Sequence, residues 1–181
     1  MKKLGFLMVL ALDLAVGGCG GNTPTNTVDT ATAGNWEVQF TGGTDQASLI
    51  DFVTAFSVTN SGPIEITGFS FINAGKCFAN GVNGSTETGN ATLITGAANQ
   101  VTGTLDFTVT SRTPAGNILT LKGNLTGTSN GTTTTTGSLS NGVVVGTWTL
   151  TGSADCIGAG NPKGVGGNFI MCQGTNTCTP P

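Results

Sequence analysis

The sequence predicts an all-β fold: a single antiparallel meander, curled into an up-and-down β-barrel of seven or eight strands, with a β-sandwich as the alternative. Three observations carry this. Charged residues make up only 8% of the chain and helix formers are scarce, while Thr, Val, Ile and Phe recur among 30 glycines, a composition suited to half-buried strands. Apolar and polar residues alternate with a period of two over many short stretches. Asn-Gly dipeptides at 80–81, 83–84, 130–131 and 141–142 punctuate the chain, and Asn-Gly supplies the positive φ angles of type I′ hairpins. A sheet with one apolar face and no helix to cover it must close on itself or fold into two layers.

The strands follow in order. In "WEVQF" (36–40), Trp36, Val38 and Phe40 point one way and Glu37 and Gln39 the other. "SLIDFVTAFSV" keeps Phe52, Thr54, Phe56 and Val58 in phase. "PIEITGFSFI" puts Ile64 and Ile66 in one phase and Phe69 and Phe71 in the other, so a bulge is expected at Gly68. "VTGTLDFTVT" (101–110) sets Val101, Leu105, Phe107 and Val109 inward with Gly103, and threonines and Asp106 outward. "ILTLKGNLTG" repeats this with Leu119, Leu121 and Leu125 against Thr120, Lys122 and Asn124, and "VVVGTWTLTG" closes the series with Trp148 and Leu150. The expected barrel domain is 35–156, followed by a Gly/Pro-rich segment, 157–181, that carries two cysteines.

Ahead of the strands, Lys2 and Lys3 precede the apolar run "LGFLMVLALDLAV" (4–16), which has the length of an export leader and is short for a bilayer span. The run ends in "VGGC", Val16 to Cys19. This resembles the lipobox of bacterial lipoproteins. The resemblance implies a signal peptide over 1–18, diacylglycerol on the thiol of Cys19, cleavage before it, and acylation of the freed amine. Several acyl chains at roughly 0.8 kcal/mol per buried methylene anchor a protein stably to a membrane. Residues 19–34 read as a flexible linker that reaches roughly 20 Å as a coil. Gly20 stands where an Asp would retain such a lipoprotein in the inner membrane, so the expected location is the cell envelope at the outer membrane.

With Cys19 acylated, Cys77, Cys156, Cys172 and Cys178 remain, an even number in an exported chain. Three pairings are possible, and Cys77 with Cys156 and Cys172 with Cys178 is favoured. No C-x-x-C spacing points to a metal site.

Charge and composition exclude further classes. The formal charge of −3 falls to −4 once Lys2, Lys3 and Asp13 leave with the leader. Lys76, Arg112, Lys122 and Lys163 are then the only cations, far apart in sequence, which argues against a nucleic-acid partner. The chain has no histidine, which removes Ser-His-Asp and Cys-His nucleophiles and the commonest general base. Carboxylates Glu37, Asp45, Asp51, Glu65, Glu87, Asp106 and Asp155 show no spacing that would pair two in a cleft. "GAGNPKGVGG" (158–167) lacks the G-K-[ST] ending of a phosphate cradle. No catalytic residue, cofactor or metal is expected. The threonine rows and "TTTTT" (132–136) read as solvated strand faces.

"GNW" (34–36) and "GTW" (146–148) are similar to the G-x-W opening of lipocalins and avidins. That likeness implies a barrel, but Arg112 falls in the loop "SRTPAGN" rather than on a late strand, so the ligand chemistry does not follow. Residues 34–156 also resemble Gly/Thr-rich bacterial lipoproteins in which G-N-W, a Cys-Phe such as Cys77-Phe78, and a late G-T-[YW] before a Cys recur. The function expected is a lipid-anchored binding module for a small apolar ligand or a surface partner. The alternative is a non-catalytic structural surface lipoprotein with a filled barrel.

Overall fold

The computed structural model describes residues 35–42, 50–57, 61–81, 83–129 and 139–174. The strands are β1 (Asn35–Thr41), β2 (Asp51–Ser57), β3 (Gly62–Pro63), β4 (Glu65–Asn73), β5 (Ser85–Thr95), β6 (Gln100–Arg112), β7 (Ala115–Ser129), β8 (Leu139–Thr151) and β9 (Val165–Gln173). A short helix, α1 (Ala154–Ile157), precedes β9. All nine strands form one antiparallel sheet in the order β3-β5-β6-β7-β8-β9-β1-β2-β4.

This is an up-and-down barrel, nearly closed. β3 and β4 are pieces of one run that faces both ways. Gly62 and Pro63 pair with Ala91 and Asn90 of β5, and Ile64 N–H donates to Gly89 O. From Glu65 onward the same run pairs with β2. The loop 74–84 then bridges from β4 to the start of β5.

The alternation expected for β1, β6 and β7 is present: Trp36, Val38, Leu105, Phe107, Val109, Leu119, Leu121 and Leu125 are all buried. Each such side chain contributes about 1.5–3 kcal/mol by leaving water. Ala55 pairs with Gly68 and Phe56 with Ile66, so Thr67 is the extra residue of a bulge beside Gly68. The hydroxyls tie it down: Thr67 Oγ1 donates to Ala55 O and Thr54 Oγ1 to Gly68 O.

Three expectations are corrected. The barrel does not end at 156, because β9 lies between β8 and β1 and closes the ring, with Phe169 and Met171 buried. Its glycines hide the pattern, yet they are required: a Cβ on Gly167 would stand 2.1 Å from Thr41 O and 2.9 Å from Trp148 Nε1. Asn141-Gly142 makes no hairpin. It lies inside β8 as a bulge opposite Gly127, Asn141 has φ 52°, and Gly142 N–H donates to Gln173 Oε1. Asn80-Gly81 and Asn83-Gly84 both belong to the longer 74–84 connection, while Asn130 and Gly131 lie outside the described residues.

The tight turn between β5 and β6 is built from other residues. Ala98 and Asn99 have φ 55° and 58°, and Gln100 N–H donates to Ala97 O, the positive-φ pair of a type I′ turn. Holding alanine there costs about 1–2 kcal/mol. Ala98→Asn is expected to raise stability by about 0.5–1 kcal/mol, read as a higher urea midpoint at unchanged slope.

Candidate functional site

Three places qualify by chemistry: the barrel lumen, the cysteines, and the carboxylates on the wall.

Aromatic rings converge in the lumen. Phe52 of β2 lies with its centroid 4.9 Å from Phe69, 5.8 Å from Phe107, 6.1 Å from Phe40 and 6.2 Å from Phe71. β2 and β6 are not neighbours in the sheet, so the Phe52–Phe107 contact runs across the barrel. Centroids this close belong to rings in direct contact. Towards one end Trp36 stacks on Phe56 at 5.0 Å, and towards the other Phe71 stacks on Phe78 at 4.9 Å. Trp36 and Trp148 are each 1% exposed. They are core residues, and Trp148 Nε1 donates to Thr41 O across 3.3 Å. Among the described residues, the aromatic side chains that are not fully buried, Phe40, Phe56 and Phe71, pack against this core.

Cys77 and Cys156 form a disulfide with both residues fully buried. It ties the 74–84 loop to α1. Asn117, also fully buried, doubles the tie: its Nδ2 donates to Cys77 O at 2.7 Å and its Oδ1 accepts from Ser153 N–H at 2.9 Å. Gly152 is small because a Cβ there would stand 2.0 Å from that oxygen. Cys172 is disulfide-bonded as well. Cys178, its expected partner, and Cys19, the expected lipidation site, lie outside the described residues, as does the "TTTTT" tract.

Among the carboxylates, the register brings Asp51 near Glu37 on adjoining strands, a proximity invisible without the pairing Val38–Phe52. Burial pushes the Asp51 carboxyl up from 3.8 to about 6, the Glu37 charge adds to this, and the Phe52 backbone N–H opposes it. Asp51 Oδ1 is buried with no hydrogen-bond partner. Below pH 3.8 the folded and unfolded chains both hold this proton; from 3.8 to about 6 the unfolded chain ionises first and folding loses stability. Asp51→Asn should remove that decline and add about 1–2 kcal/mol at neutral pH, allowing for the partial exposure of the group. Urea titrations on either side of this window measure it.

The remaining candidates are dispersed. Asp106 is exposed on β6, Glu87 on β5 accepts from Ser85 Oγ, and Asp155 sits on α1. Asp45 lies outside the described residues. Arg112 ends β6, where its Nε donates to Thr86 Oγ1. The glycine-rich 158–164 stretch is a loop, and residues 165–167 begin β9.

On the outer wall the register produces an arrangement that the sequence did not disclose. Thr88, Thr108, Thr120 and Thr149 stand side by side on β5, β6, β7 and β8. The next row is Asn90, Asp106, Lys122 and Thr147. Cross-strand threonine pairs support the sheet while keeping that face wet. The exposed apolar side chains Ile72, Ile94, Ile118 and Val145 are spread over four strands and make no single patch.

No family model, curated protein or solved structure matches this chain.

Proposed function

We propose that the protein is a lipid-anchored, non-catalytic component of a bacterial cell envelope that presents a filled β-barrel and acts through its outer surface. The anchor rests on "VGGC" at the end of an apolar run behind two lysines, and the absence of Asp at position 20 favours the outer membrane. The observation that carries the filled-barrel reading is the contact of Phe52 and Phe107 across the lumen, where a small apolar ligand would have to lie. Among the described residues the aromatic side chains belong to the core, leaving threonine, asparagine, a few charges and the scattered aliphatics Ile72, Ile94, Ile118 and Val145 to meet a partner or solvent.

An apolar-dye titration of the chain from residue 20 onward tests the lumen. No saturable binding is expected, and stoichiometric uptake would restore the ligand-binding reading. Mass spectrometry of protein from its native membrane tests the anchor: a diacylglyceryl and acyl mass on Cys19 is expected, whereas an uncut chain with a free thiol overturns it.

A further inference from the structure

The three described Asn-Gly dipeptides, none of which forms a two-residue hairpin turn, differ sharply in what surrounds them. Asn-Gly is where an asparagine can cyclise without an enzyme. The Gly backbone nitrogen, its proton given up to a solvent base, attacks the Asn carboxamide carbon. A C–N bond forms, ammonia leaves with a proton from water, and a five-membered succinimide remains. Water then opens either carbonyl of the ring to give aspartate or isoaspartate. One water is consumed, one ammonia is released, and no oxidant or reductant takes part. The fold controls this through the freedom of the Gly N–H and of the peptide around it.

At Asn141-Gly142 the nucleophile is sequestered. Gly142 N–H donates to Gln173 Oε1 at 3.0 Å, and a Cβ on Gly142 would stand 2.2 Å from the Trp36 ring, so the peptide is clamped between two strands and an indole. At Asn83-Gly84 the nitrogen donates to Gly81 O at 3.0 Å, Gly84 is buried, and a Cβ there would stand 2.0 Å from Ala79 O. Asn80-Gly81 is the opposite case. Both residues are exposed, Gly81 has φ 107°, and nothing stands within 4 Å of where its Cβ would be. Among the described residues neither the Gly81 N–H nor the Asn80 carboxamide has a hydrogen-bond partner.

We infer that Asn80 is a site of spontaneous deamidation, the fastest of the three described Asn-Gly pairs in the folded protein. The product adds one negative charge to the 74–84 loop, three residues from Cys77. The buried disulfide and Asn117 hold the loop at Cys77 before the change, and Arg112 N–H holds Gly84 O after it, so the barrel keeps its fold as the charge accumulates.

The test incubates the oxidised full chain in mildly alkaline buffer, folded and in concentrated urea, and maps the gain of about one dalton by peptide fragmentation at each asparagine. In the folded protein Asn80 should convert about tenfold faster than Asn83 or Asn141, the scale of one retained hydrogen bond or more. In urea the three rates should converge. Asn80→Gln should abolish both the mass gain and the isoaspartate at that position. The inference fails if Asn83 or Asn141 keeps pace with Asn80 in the folded protein, or if the same gap persists in urea.

Discussion

Phe52→Ala is expected to lower the unfolding free energy by about 3–5 kcal/mol and to open a hole at the centre of the barrel. Phe52 touches four other rings, Phe40, Phe69, Phe71 and Phe107. Those neighbours stand on three different strands, β1, β4 and β6, and cannot collapse together without shifting the sheet, so relaxation recovers little. The loss should appear as a lower urea midpoint at nearly unchanged slope. The same variant probes the proposed function. A dry apolar cavity of this kind takes up benzene or xenon, so Phe52→Ala should bind a small apolar probe that the parent protein excludes. A loss under about 1 kcal/mol would show that the rings are not the core described here.

Removing the Cys77–Cys156 bridge is the second large effect. The bond closes a loop of 79 residues, and constraining that much unfolded chain is worth about 4 kcal/mol. Cys77→Ala together with Cys156→Ala should lose that amount, as measured by urea unfolding against the oxidised parent. Because both residues are fully buried, a thiol reductant should cleave the bond in the native protein only as fast as the chain opens. Rapid reduction without unfolding would contradict the burial. Asn117 continues to hold the Cys77 carbonyl in the double variant, so the loop should stay docked while the fold survives.

How much of this was legible follows from where the information lies. β1, β6 and β7 could be read because each alternates bulky apolar residues with polar ones, and the Gly68 bulge because the phase of Ile66 and Phe69 reverses around it. β5 could not, since its inward positions are Ser85, Glu87, Gly89, Ala91 and Leu93, with apolar bulk only at the last. The missing volume comes from another segment: a Cβ on Gly89 would stand 2.6 Å from the Ile64 side chain, which fills that place. β9 was obscured in the same way by Gly166 and Gly167. The Asn141-Gly142 signal was genuine chemistry in the wrong setting, for Asn141 does take positive φ, but Trp36 and Gln173 turn that conformation into a bulge. The favoured Cys77–Cys156 pairing is the one the fold adopts. The Asp51–Glu37 proximity and the threonine row both depend on strand register, which composition and period do not contain.

The position of β9 between β8 and β1 has a consequence for how the protein is made. The ring closes only when Gln173 reaches Trp36, so the contacts that complete it join the beginning of the domain to its end. Topologies dominated by such distant pairings assemble slowly. A nascent chain of this kind stays open until β9 has been synthesised. Under the export proposed above, that delay would keep the chain in a form able to thread through a narrow translocation pore.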